Sequence, residues 1–210
     1  MRIEAYKFAV LALAFFVTPI ALKANDDSTV SREYQIKAAF LYNFIKFVDW
    51  PEEKSADSNK PITIGIIGKD PFGNAFDPVE DKDTKTRKVL IKRFKTFEEL
   101  KKAGEKDKSL LDREIESMRK CHLLFICSSE EKSVGEITNL VKDHSVLTVG
   151  DVKGFLEAGG ITNFIVEEQK VRFEINATTA KQAKLQIRSQ LLRLAKRVVE
   201  EKDAEENKNK

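Results

Sequence analysis

Residues 121–151, CHLLFICSSEEKSVGEITNLVKDHSVLTVGD, decide how the rest of the chain is read. CHLLFIC (121–127) is an apolar run of strand length, and SVLTVGD (145–151) is another. Between them SSEEKSVGEITNLVKDH (128–144) has the pattern of a helix, with Ser128 or Ser129 as its expected cap. Parallel strands need a long crossover of this kind. Strands that are apolar on both sides belong to a sheet covered on both faces.

The first run holds both cysteines. Six residues of strand, at about 3.3 Å each, set their backbones roughly 20 Å apart. A disulfide needs Cα atoms within about 7 Å. The strand reading is therefore incompatible with a Cys121–Cys127 bridge, and there is no third cysteine. His122 alternates to the opposite face and His144 is isolated, so no zinc set forms. The two thiols read as small buried hydrophobes.

Working outward, PITIGIIG (61–68) is a buried strand ending in a turn at Gly68. FGNAFDPV (72–79) is a short helical or irregular connection, and RKVLIKRF (87–94) is another strand. TFEELKKAG (96–104) is a helix ended by Gly104. Residues 105–120 are charge-rich, a solvated loop or an additional helix. VKGFLEAGG (152–160) reads as a short helix ended by glycines, and ITNFIVEEQKVRFEIN (161–176) as a hairpin turning at EEQK. ATTAKQAKLQIRSQLLRLAKRVVEE (177–201) reads as one long closing helix with Ile187, Leu191, Leu194 and Val198 on one face. Residues 201–210, ending KDAEENKNK, read as a disordered tail. The expected fold is α/β: a single three-layer, Rossmann-like domain over residues 31–200. Its sheet is largely parallel with a C-terminal antiparallel hairpin, and helices cover both faces.

The N-terminus carries Arg2 and Lys7 ahead of an uncharged apolar run, Phe8 to Leu22, that closes on Ala24. This is the pattern of a signal peptide over residues 1–24, and the run is shorter than the roughly 20 residues a membrane span needs. Export to the periplasm with cleavage near Ala24 is the expectation. Cleavage would remove three basic residues (Arg2, Lys7, Lys23) and one acidic (Glu4) from totals of 37 and 34, leaving a formal charge of +1. So balanced a surface gives no footprint for nucleic acid.

The glycines of GIIGKDPFG (65–73) match neither a dinucleotide fingerprint nor a P-loop. There is no G-x-S-x-G elbow and no H-E-x-x-H. No cofactor, no metal site and no catalytic residue is expected, and the chain reads as a binding protein rather than an enzyme.

Two surfaces suggest a partner. In YQIKAAFLYNFIKFVDW (34–50), Tyr34, Ala38, Leu41, Phe44, Ile45 and Val48 form a core stripe, stopped by Pro51. The helix also carries Ile36, Phe40 and Phe47 roughly on its other side. These three are covered by the closing helix, or they form a partner or homodimer face. In the hairpin, Val171, Phe173 and Ile175 share one side, with Arg172 and Glu174 on the other. The hairpin is expected at or near a sheet edge, where docking is common. Phe155, Glu167 and Val171 are its candidate protein-binding residues, with Phe155 as an exposed anchor and Glu167 as rim charge.

YQIKAAFLYNFIKFVDWP, GIIGKDPFG, CHLLFI, VLTVGDVKGFLEAGGITNFIVEEQKVRFEIN and LLRLAKRV stand in the order and spacing of the YfiR family (DUF4154), which the chain resembles from about Tyr34 to Val199. The charged segment 101–120 is longer than is usual there, and the disulfides of the best-known members lack their cysteine partners here. The resemblance implies a periplasmic regulator. Such a protein inhibits a membrane-bound diguanylate cyclase of the inner membrane through its periplasmic sensory domain, lowering cyclic-di-GMP and so biofilm formation. The resemblance also implies an OmpA-like outer-membrane lipoprotein as a sequestering partner. The alternative is a periplasmic small-ligand binding domain using the C-terminal ends of the parallel strands.

Overall fold

A computed structural model describes residues 26–51, 61–80 and 88–200. The expected signal peptide (1–24) and tail (201–210) lie outside the described residues. Helix α1 (Asp26–Phe47) runs directly into the two-residue strand β1 (Val48–Asp49). Then come β2 (Ile62–Ile67), a helical turn α2 (Asp77–Glu80), β3 (Val89–Phe94), α3 (Phe97–Lys106) and α4 (Lys108–Arg119). β4 (Leu123–Ile126) leads through a 3-10 helix (Ser128–Ser133) into α5 (Val134–Val141) and β5 (Leu147–Gly150). The chain closes with β6 (Thr162–Glu167), β7 (Lys170–Asn176), α6 (Ala177–Gln182), β8 (Gln186–Ile187), α7 (Ser189–Leu194) and β9 (Arg197–Val199).

The main sheet has the order β3-β2-β4-β5-β6-β7-β9. All neighbours are parallel except β6 and β7, which pair antiparallel from Thr162↔Ile175 to Glu167↔Lys170. The α/β fold expected from the sequence is the one observed, and the 121–151 unit is its β4–α5–β5 crossover. Leu123, Phe125, Leu147 and Val149 face one core, with α1 and α6 packed over it. Leu124 and Ile126 face the other core, under α3 to α5. The charge-rich segment is helical: Thr96 and Glu99 form a capping box at the start of α3, and Asp107 caps α4. Gly104 does not end α3, which runs on to Lys106; its missing side chain makes room for Leu111, whose Cβ lies 2.8 Å from where a Gly104 Cβ would be.

The one large departure is the C-terminal helix. Residues 177–201 have the Ala, Gln, Lys, Arg and Leu content of a helix, yet the segment breaks into α6, β8, α7 and β9. Lys184 takes a left-handed backbone, φ 57°, which drops Leu185 into the core. Ile187 and Gln186 pair with Val48 and Asp49 of β1, and Arg188 clasps Asp49 with two hydrogen bonds of 3.0 and 2.6 Å. Tertiary pairing wins over helix propensity, a weak local preference. Leu194, expected on one helix face with Leu191, is exposed while Leu191 is buried.

Candidate functional site

Parallel α/β sheets present their ligand-accessible end where strands finish at their carboxyl termini. Here that end is built from the residues after β2, β4 and β5. After β2 the chain turns at Gly68, φ 107°; a Cβ there would lie 2.5 Å from Ser129 Oγ. Ser129 was one of the expected caps of the next helix, and its hydroxyl instead accepts from the Lys69 N–H at 2.9 Å. Its neighbour Glu130 is buried and accepts the Phe97 N–H at 3.1 Å, which places a negative charge at the start of α3. The loop after β2 is thus closed by side chains from after β4.

Beyond β5 lies an ion cluster. Lys37, 3% exposed on α1, places Nζ 2.7 Å from Asp151 Oδ2 and 2.6 Å from Glu33 Oε1. The Tyr34 hydroxyl donates to the same Asp151 Oδ2 at 2.8 Å, and the Lys37 ammonium stands 4.3 Å from the Tyr34 ring centre. Burial, then the Asp151 charge, raise the Tyr34 phenol far above its ordinary range. The Cys127 thiol is raised for the same two reasons in the same order. Such a thiol stays protonated and unreactive. Both cysteines are buried, Cys121 in one core and Cys127 in the other. Sequence reasoning missed Lys37 and Asp151, because their 114-residue separation leaves no local pattern.

A cavity of about 510 Å³ opens beside this cluster, lined by Lys37, Asp151, Asn163 and the Phe164–Val166 stretch of β6 among others. Among the described residues no group of histidines, cysteines and carboxylates is arranged to hold a metal ion.

The two expected surfaces fare differently. Glu167 is half-exposed and bridges to Lys196 at 3.0 Å, and Val171 is half-buried against the core. They sit at the β6–β7 turn, where Glu168 and Gln169 both take positive φ. The hairpin is one strand in from the edge, because β9 covers β7. The exposure expected of Phe155 is corrected: it is 0% exposed. Residues 152–160 form turns rather than a helix, and the ring is clamped between two backbones. A Cβ on Gly150 would lie 2.3 Å from it and one on Gly160 2.1 Å. The flanking glycines make room for the ring instead of exposing it. On α1, Phe40 and Phe47 pack against the core, Phe40 with Phe44, Phe164 and Phe173. Ile36 alone of the three is open, at 40%.

Among the described residues no helix is long and apolar enough to cross a membrane. No curated protein matches the chain. Several solved structures share its fold, among them the following two. One is a conserved domain protein from Vibrio cholerae O1 biovar El Tor strain N16961 (10% identity, TM-score 0.50, covering 79% of this chain and 60% of that one). The other is an ABC domain from Streptococcus pneumoniae in complex with L-Trp (11% identity, TM-score 0.50, covering 80% and 60%). The chain thus spans about 60% of the length of each. The family model described as YfiR/HmsC-like matches residues 34–196, from the Tyr34 of the ion cluster to the residue before β9, and the chain belongs to that family, DUF4154.

Proposed function

We propose that this chain is a periplasmic inhibitor of an inner-membrane diguanylate cyclase, acting by binding the cyclase's periplasmic sensory domain. The observation that carries the reading is the family match over residues 34–196, since the YfiR-like family is one of periplasmic regulators of such cyclases rather than of catalysts. The proposed docking surface is the β6–β7 turn. There Glu167 supplies charge, Val171 and the exposed Val166 supply apolar area, and the buried Phe155 holds the adjoining loop in place. Ile36 is a second proposed contact, on α1. An OmpA-like lipoprotein that withdraws the inhibitor is the proposed releasing partner.

Deleting the gene in its native host should raise cyclic-di-GMP, and restoring it should lower the level again. A Val166→Asp, Glu167→Lys double variant should be exported at normal abundance yet fail to restore it. Unchanged cyclic-di-GMP in the deletion strain contradicts the proposal.

A further inference from the structure

Strand β3 ends the main sheet, with β2 as its neighbour on one side. Ile62 donates to the Lys88 carbonyl at 2.8 Å, and the two strands stay in register from Ile62↔Val89 to Ile67↔Phe94. Backbone groups alternate in direction along a strand. Leu90, Lys92 and Phe94 therefore turn theirs to β2, as Lys88 does, while Val89, Ile91 and Arg93 turn theirs outward. Val89 is buried, so the open edge runs from Leu90 to Lys95. Among the described residues no strand pairs with it. The opposite edge is short: β9 has three residues, flanked by ion pairs from Lys196 and Arg197.

An open strand edge is a template for another strand. Two features beside this one select what docks. The first is apolar. Leu90 is 51% and Leu110 41% exposed. At the end of the strand, Phe94, Leu100, Ala103, Leu110 and Leu111 line a cavity of about 240 Å³ between β3 and the α3–α4 hairpin. Small-molecule sites begin at roughly 300 Å³; this one has room for a side chain. The second feature is charge. Lys88, Lys92, Arg93 and Lys95 are all exposed along the strand, and Arg93 is paired with Asp70 at 2.7 Å. The charged residues lining the cavity are Arg93, Lys95 and Glu114, a net of +1. A second copy of β3 would set lysines against lysines, which opposes self-pairing. A strand carrying carboxylates meets the same lysines with the opposite sign.

We propose that β3 is a docking edge for an acidic, extended segment of another protein. The segment joins the seven-stranded sheet by pairing its backbone with Ile91 and Arg93. Its carboxylates face the lysines, and one apolar side chain enters the cavity. This edge lies across the sheet from the β6–β7 turn, and the proposal stands whether or not the chain regulates a cyclase.

The test is titration of the purified chain with a capped nine-residue peptide that alternates glutamate with valine, one valine replaced by leucine. Protein-observed NMR follows it. The peptide should saturate with a Kd below about 100 μM and slow hydrogen exchange at the Ile91 and Arg93 N–H groups. Because only alternate backbone groups face the edge, N-methylating one set, the glutamate or the valine nitrogens, should abolish binding, and methylating the other should not. A peptide with lysine in place of glutamate should bind at least about 10-fold more weakly, and replacing the leucine by alanine should cost about 5-fold. Lys95→Glu, at an exposed position, should weaken the acidic peptide by about 5-fold or more and leave the melting temperature unchanged. The proposal is overturned if the acidic peptide fails to saturate by about 1 mM, if both N-methylated peptides bind as the parent does, or if the lysine peptide binds as tightly. It is also overturned if Ile91 and Arg93 become protected on raising the protein concentration alone, the sign of a second copy at the edge.

Discussion

Lys37 Nζ lies 2.7 Å from Asp151 Oδ2, with 3% and 5% of the two side chains exposed. This contact pins α1 to the loop after β5. A buried ion pair adds little over a matched apolar pair, but breaking it leaves a charge stranded. Lys37→Met should therefore cost about 3–5 kcal/mol, a fall in melting temperature on the order of 10 °C for a chain of this size. The Lys37→Met, Asp151→Leu double variant should recover more than half of the loss. Equal melting temperatures for the single and double variants would show that Asp151 is not stranded by the single change.

Phe155 is the ring on which the 152–160 loop closes. Phe155→Ala should cost about 3–5 kcal/mol through the cavity it leaves, and it should be read by denaturant unfolding. Gly160→Ala should be as damaging, since its Cβ would sit 2.1 Å from the ring. A Phe155→Ala protein with wild-type stability would mean that the ring is not core.

Burial first, and Asp151 next, hold the Cys127 thiol above its ordinary range in the folded protein. In the unfolded chain a thiol ionises near pH 8.5. Above that pH the unfolded state binds fewer protons than the native one, so raising the pH favours unfolding. The stability Cys127 contributes is thus complete below about pH 8 and declines from about pH 8.5 upward. Tyr34, raised by burial and Asp151, adds the same trend above about pH 10. Cys127→Ala should flatten the decline between about pH 8.5 and 10; identical slopes would contradict this origin. Alkylation at pH 8 should label the native protein slowly and the denatured protein at both cysteines.

The β6–β7 turn carries φ 48° at Glu168 and 60° at Gln169, the backbone of a two-residue hairpin turn that favours Asn-Gly. Glu168→Asn with Gln169→Gly should stabilise the chain by roughly 0.5–1 kcal/mol. Thermal melting checks this, and a lower melting temperature would mean that the two native side chains hold the turn by other contacts.

Much of the fold was legible because its signals are local. The apolar runs at 62–67, 123–126 and 147–150 are too short for helices and are bounded by turns and helical patterns, and that length and punctuation assign them as strands. The break at Lys184 was not legible. No glycine or proline marks it, and its cause is the pairing of Ile187 and Gln186 with a strand that lies 139 positions away at the Asp49–Arg188 clasp. Phe155 was misread for a related reason. Glycines beside an aromatic signal an exposed turn or a clamp about the ring equally well, and only the approach of Gly150 and Gly160 decides. The Lys37–Asp151 cluster was invisible because an isolated lysine on a helix and an aspartate after a strand are each ordinary on a solvated surface.

The central claim, inhibition of a diguanylate cyclase through its periplasmic domain, is tested most directly by reconstituting the full-length cyclase in vesicles with that domain facing outward. Cyclic-di-GMP synthesis from GTP trapped inside is then measured as the purified chain is added outside. The account predicts a saturable fall in synthesis that the Val166→Asp, Glu167→Lys variant does not produce. Synthesis unchanged by saturating wild-type chain, or reduced equally by the variant, would contradict it.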